Sequence, residues 1–137
     1  MLYAILCYNS EDAVYSWPKE QDDAVMGRLG EVQQKLARSG RLGPVARLMP
    51  TTTATTLRKD REPALVIDGP FAETKEQLLG FYVIECSNLE QALETARELG
   101  NANPGGAYEI RPISILNPAG PGFDAWSRPV APAESAR

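Results

Sequence analysis

Ionisable residues are concentrated in DGPFAETKEQ, residues 68 to 77, which joins two apolar segments. Asp68 follows the apolar run ALVI, Gly69 gives the backbone unusual freedom, and Pro70 fixes its own φ. A carboxyl group that is shielded from water at such a strand end has a raised pKa and can carry protons near neutral pH. An ammonium group nearby stabilises negative charge on a substrate. The stretch therefore predicts a catalytic pair of Asp68 and Lys75.

Five further residues are candidates for binding a small polar substrate. The guanidinium groups of Arg58 and Arg111 can hold a carboxylate or an enolate with two hydrogen bonds. Arg111 shares a strand face with Glu109, so an ordinary ion pair competes with this role. The other candidates carry carboxylate or hydroxyl groups and are Glu73, Thr74 and Tyr8.

A purely structural interpretation of the same stretch stays open. Asp68 can accept backbone hydrogen bonds, as aspartate does in Asx-turns. Phe71 would then pack into the core, and Glu73, Lys75 and Glu76 would form a solvated surface. On this interpretation the charged segment ends a strand and performs no chemistry.

Composition excludes several kinds of site. The chain of 137 residues has no histidine, which rules out histidine general bases and histidine-containing triads. Its two cysteines, Cys7 and Cys86, fall in predicted strands and are interpreted as buried thiols. With no histidine and no paired cysteines, the sequence predicts neither a metal site nor a cofactor.

The charge distribution limits the possible partners. Net charge is −4, and the one dense basic cluster, residues 58 to 61, is interrupted by Asp60. Nucleic-acid backbones are bound by accumulated Lys and Arg, so no direct nucleic-acid partner is expected. No apolar run reaches the ~20 residues that cross a bilayer, and the N-terminal segment resembles a strand rather than a secretion signal. We expect a cytoplasmic protein with no membrane partner.

Apolar periodicity predicts the order β, α, β, a β-pair, β, α, β, which is typical of a ferredoxin-like α+β sandwich. The helices would cover one sheet face, yet the first strand and the strand at 79 to 86 are apolar on both faces. Exposed apolar sheet usually marks an interface, so a homodimer with facing sheets is expected. Strands are predicted at 2–8, 41–50, 53–58, 64–67 (buried), 79–86 and 107–116, and helices at 18–39 and 88–100.

Residues 1 to 116 are predicted to form this domain. The segment from 117 to 137 contains four prolines and has no periodicity. It is expected to be a flexible or surface-draped extension.

Several strings resemble those of the YCII-related domain family, in the branch named for its Asp-Gly-Pro-Phe motif. They are TATTLR, VIDGPFAETKEQLLGFYVIE, NLEQALETA and YEIRPI, and the resemblance runs from about residue 1 to about residue 115. It implies a dimeric α/β-barrel built from ferredoxin-like protomers. Many members of the branch are associated with extracytoplasmic-function sigma factors, and the wider family has a proposed His-Asp pair. Asp68 would supply the carboxylate of that pair, while the histidine is missing from this chain.

Three functions follow as hypotheses. The first is a cofactor-independent enzyme that acts on a small polar or aromatic molecule, with Asp68 transferring a proton. The second is a non-catalytic ligand-binding or regulatory module, linked to a sigma factor as the resemblance implies. The third is a scaffold role in which the charged segment only ends a strand.

Overall fold

The computed structural model describes residues 1–117, so the expectations for residues 118–137 lie outside the described part. Its strands are β1 (Leu2–Asn9), β2 (Leu42–Arg47), β3 (Thr55–Arg58), β4 (Leu65–Asp68), β5 (Gln77–Glu85) and β6 (Ala107–Pro112). Its helices are α1 (Glu11–Val14), α2 (Lys19–Arg38) and α3 (Leu89–Ala102).

Four strands form an antiparallel sheet in the order β2-β5-β1-β6, and β3 and β4 form a separate two-stranded hairpin. This order, with helices between the first and second and between the third and fourth sheet strands, is consistent with a ferredoxin-like fold. The predicted α+β class, with an antiparallel sheet and helices, is therefore confirmed.

The long helix α2 packs on the sheet through an apolar stripe. Val25, Leu29 and Leu36 recur at helical spacing and are buried. The helix ends before Gly40, whose φ of +72° is a left-handed conformation that favours glycine. The stripe thus fixes which side of α2 faces the sheet.

Helix α3 begins at a cap that is visible in the sequence. The side chain of Asn88 accepts a 2.9 Å hydrogen bond from the backbone N–H of Gln91, and the Gln91 side chain accepts one from Ser87. Ala92, Ala96 and Leu99 of this helix are buried against the sheet. α3 therefore closes the same sheet face as α2.

The core lies between the four-stranded sheet and these two helices. Tyr3 and Ile5 of β1 contribute to it together with Tyr82 and Ile84 of β5. Antiparallel register pairs Tyr3 with Ile84 and Ile5 with Tyr82, so these side chains share one face. The opposite face of the sheet carries the alternate residues, among them Leu6, which pairs with Glu109.

Several predicted boundaries are corrected by the structure. The segment predicted as a buried strand at 64–67 is exposed at every residue of β4, because its hairpin lies outside the main sheet. β6 ends at Pro112 rather than at 116, and β5 begins at Gln77 rather than at 79. The segment 9–17, between the first predicted strand and the first predicted helix, contains α1, and a 3-10 turn at Thr51–Thr53 precedes β3.

Candidate functional site

Asp68 lies at the end of β4, opposite Thr55 of β3, and is exposed. The turn beyond it is held by other groups: Gly69 N–H donates to the carbonyl of Ala54 at 2.8 Å, and the Thr56 hydroxyl donates to the carbonyl of Gly69 at 2.8 Å. Within residues 1–117 no donor reaches the Asp68 carboxylate. The Asx-turn interpretation therefore does not explain why an aspartate stands here.

The residues around Asp68 are also solvated in the protomer. The Phe71 side chain is 77% exposed, so the expectation that it packs into the core is wrong for a single chain. Its ring lies 5.4 Å from the guanidinium carbon of Arg58, which also forms a 3.2 Å ion pair with Asp60. Arg58 therefore has its contacts within the hairpin.

Glu73, Thr74 and Lys75 lie in the connection between the hairpin and β5, and all three are exposed. The Thr74 hydroxyl donates to the carbonyl of Glu76, and the side chain of Gln77 donates to the carbonyl of Thr74 at 2.6 Å. These bonds shape the connection locally and leave the charged groups in water.

Arg111 and Tyr8 lie on the main sheet, apart from the hairpin. Glu109 forms an ion pair with Arg111, and a hydrogen bond from Arg111 Nε at 3.0 Å contributes to it. The Glu109 hydrogen bond and charge raise the pKa of Arg111, with a smaller contribution from Tyr8. The predicted set is thus divided in the protomer between the hairpin segment and the four-stranded sheet.

A cleft of about 110 Å³ lies between the sheet and α2. The floor of the cleft is the sheet face that the helices cover. Three polar side chains line this floor: Cys7 of β1, Tyr82 of β5 and Tyr108 of β6. Tyr8 also borders the cleft and is the one predicted site residue that does so. On the helix side the lining comes from Val25, Leu29 and Gln33, and at the outer end from Trp17, Asp22, Met26 and Arg47.

The polar groups of the floor are uncharged near neutral pH. Burial raises the pKa of Cys7 to about 12. Burial also raises the pKa of Tyr108 to about 12, although a hydrogen bond from Asn103 opposes the change. The pKa of Tyr82 is raised by burial first and then by its neighbours Tyr108 and Cys7. Because the thiolate is the nucleophilic form of cysteine, Cys7 is not poised for attack.

Close backbone packing forms one side of the cleft. Gly106 has a φ of +80°, and a Cβ atom there would lie 2.2 Å from the carbonyl oxygen of Tyr8. Glycine therefore lets the loop after α3 approach the end of β1. The neighbouring Gly105 and Asn103 line the cleft from this loop.

A similar close approach fixes the opposite side. A Cβ atom at Gly80 of β5 would lie 2.3 Å from the carbonyl oxygen of Ala46 in β2. The register between β1 and β5 shifts beside this glycine, since Cys7 pairs with Gly80 whereas Tyr8 pairs with Leu78. A β-bulge of this kind re-aims neighbouring residues, and here it borders the cleft.

Sequence analysis did not predict this cleft. Its lining comes from six separate segments, and the polar members of its floor are a thiol and two phenols, which are ordinary in a core. The one usable signal was the alternation of β1, which places Cys7 on the same face as the buried Tyr3 and Ile5. A thiol on that face is interpreted as a core residue unless the neighbouring strands are known.

Between residues 1 and 117 no group of three or more His, Cys, Asp or Glu side chains could hold a metal ion. In the same part of the chain no helix is both long enough and apolar enough to span a membrane.

Most of the chain is similar to a known protein. A protein of Rhizobium meliloti (strain 1021), described as uncharacterized, is 57% identical over 119 residues, which cover 86% of this chain and 96% of that protein. The family model described as the YCII-related domain matches residues 1–117. This chain belongs to the YCII-related domain family.

Proposed function

We propose that this protein binds a small organic molecule whose buried part is an uncharged ring lying in the cleft between the sheet and α2. The observation that carries the proposal is the uncharged floor formed by Cys7, Tyr82 and Tyr108. Apolar walls with a few polar groups are typical of ligand sites. An ionised group would lose its hydration there without an opposite charge on the floor to compensate.

The size of the cleft supports a single-ring ligand. Its volume is about 110 Å³. Drug-sized ligands occupy pockets of roughly 300–1,000 Å³, whereas an engineered cavity of about 150 Å³ binds benzene. The phenol hydroxyls both donate and accept hydrogen bonds, so they suit a ring that carries a hydroxyl or carbonyl group.

The test is calorimetric titration of the full chain with phenol, followed by a panel of single-ring alcohols and ketones. Met26 lies at the outer end of the cleft and is exposed, so Met26→Trp should obstruct entry without disturbing the core. Gln34→Trp, on an exposed position of the same helix, is the matched control. Binding should be lost in the first variant and kept in the second. Equal binding by both variants, or none by the wild type, would refute the proposal.

A second candidate is a cofactor-independent enzyme in which two copies of the chain together build a site around Asp68. On this proposal the chain belongs to the branch of the family named for Asp-Gly-Pro-Phe, residues 68 to 71. Its support is the carboxylate of Asp68, which lacks a hydrogen-bond donor within residues 1–117 although the backbone around it is held firmly. A carboxylate on a fixed backbone that has no hydrogen-bond donor of its own is available to bind a substrate or to transfer a proton to it.

The hairpin supports association with a second copy. Two-stranded hairpins are marginally stable alone in water, and this one exposes apolar residues on both faces. The exposed set in the hairpin is Val66 at 64%, with Leu57, Leu65 and Ile67, and just beyond β4 the side chain of Phe71 is 77% exposed. In a dimer, each hairpin would cover this surface on its partner and bring Asp68 out of bulk water.

A further inference from the structure

The outer end of the cleft carries an ion pair between β2 and α2. Arg47 Nη2 lies 3.3 Å from Asp22 Oδ1, and Arg47 Nη1 lies 3.4 Å from the sulfur of Met26. The guanidinium carbon is also 5.8 Å from the centre of the Tyr15 ring. Among the residues that line the cleft, Arg47 and Asp22 are the charged ones.

This ion pair is weak enough to be exchanged. The side chains of Arg47 and Asp22 are 42% and 33% exposed, and exposed pairs contribute little to stability. Their separation of 3.3 Å exceeds the roughly 2.7–2.9 Å of a strong charge-assisted hydrogen bond. A second carboxylate can therefore compete for the guanidinium at low cost.

We propose that Arg47 binds the carboxylate of a small aromatic acid whose ring lies in the cleft. The inference rests on the proposed function, because it names the class of molecule that the same cleft takes. The floor holds the uncharged ring, and the cation at the outer end holds the anionic group in water-accessible surroundings. Arginine suits this role because its planar fork matches a carboxylate with two parallel hydrogen bonds.

Asp22 then acts as a competitor for the same guanidinium. In the empty protein it holds Arg47 beside the cleft, and in the complex its negative charge lies close to that of the ligand. Removal of this charge should strengthen the binding of an acid and leave a neutral analogue unaffected. Removal of the charge of Arg47 and removal of the charge of Asp22 should therefore have opposite effects on the affinity for the same acid.

The experiment compares benzoate with benzamide, a neutral analogue of the same shape, by calorimetric titration of the full chain at low salt. Arg47→Gln should weaken benzoate binding roughly tenfold, because hydrogen bonds to charged groups are strong, and should leave benzamide binding unchanged. Asp22→Asn should strengthen benzoate binding and not benzamide binding. Arg58→Gln, which removes the hairpin arginine with a similar ion pair, should change neither.

Salt gives a second readout. Benzoate binding to the wild type should weaken as sodium chloride is raised, while benzamide binding should not. If Arg47→Gln binds both compounds as the wild type does, the inference is overturned and the proposed cleft function stands. If neither compound nor any other single-ring molecule binds the wild type, both fail.

Discussion

The side-chain amide of Asn103, just beyond α3, donates a 3.2 Å hydrogen bond to the hydroxyl of Tyr108 in β6. The bond orients the phenol on the floor of the cleft and links it to the loop that forms the cleft's side. The Tyr108 hydroxyl keeps its own proton, which leaves it able to donate to a ligand.

Tyr108→Phe should therefore weaken binding of phenol more than binding of toluene. One hydrogen bond contributes a net of about 0.5–1.5 kcal/mol, so we expect a loss of roughly two- to tenfold for phenol. Calorimetric titration of both compounds measures it, with Tyr15→Phe as the control, because that tyrosine lies outside the cleft lining. An equal loss for both compounds would show that the change is one of packing.

The free energy of unfolding should fall as pH rises above about 9. The pKa of Cys7 is raised from 9.0 to about 12, and that of Tyr108 from 10.0 to about 12. The folded chain therefore retains protons that the unfolded chain releases, and this contribution is complete below the unfolded pKa values and lost as pH rises towards 12. Urea unfolding at pH 8, 9.5 and 10.5 measures the decline.

Cys7→Ala removes one of these groups and should make the decline shallower. Tyr15→Phe, which removes an exposed phenol instead of a buried thiol, is the control variant in the same experiment. A decline in Cys7→Ala as steep as in the wild type would mean that the thiol is not responsible.

The wild-type chain should sediment as a dimer with twice the mass of the 15.0 kDa protomer. Val66→Glu combined with Phe71→Glu should give monomers, because burial of two charges against a partner's apolar hairpin costs more than the contact gains. Leu89→Glu, at an exposed apolar position on α3, is the matched control and should leave the dimer intact. A wild type that is monomeric at all concentrations would eliminate the dimer proposal.

Asp68→Asn should change the free energy of unfolding by no more than about 0.5 kcal/mol, since the carboxylate is exposed and accepts no hydrogen bond within residues 1–117. If the dimer turns over a substrate at the proposed site around Asp68, the same variant should lower kcat by about 100-fold or more, the typical contribution of a general acid or base. Asp60→Asn in the same hairpin is the control. Wild-type turnover by Asp68→Asn would exclude the proton-transfer role.

Local patterns in the sequence determined much of the fold. The stripe containing Val25 and Leu29 and the cap at Asn88 each depend on near neighbours in the chain. Such patterns indicate which side of a helix is buried and where a helix begins, and the structure agrees with them. The pair of strands was predicted, but the burial of its second strand was mispredicted, because an apolar run such as residues 64–67 has the same pattern whether it lies in the main sheet or outside it.

The site depended on tertiary structure for a different reason. The sequence drew attention to charges that are adjacent along the chain, and in the folded protomer Asp68, Glu73 and Lys75 stay exposed in and just beyond the hairpin. The cleft instead joins Cys7, Tyr82 and Tyr108, which are distant in sequence and become neighbours through the strand order β5-β1-β6. Their uncharged state follows from burial, and burial is a property of the packed elements that no short segment specifies.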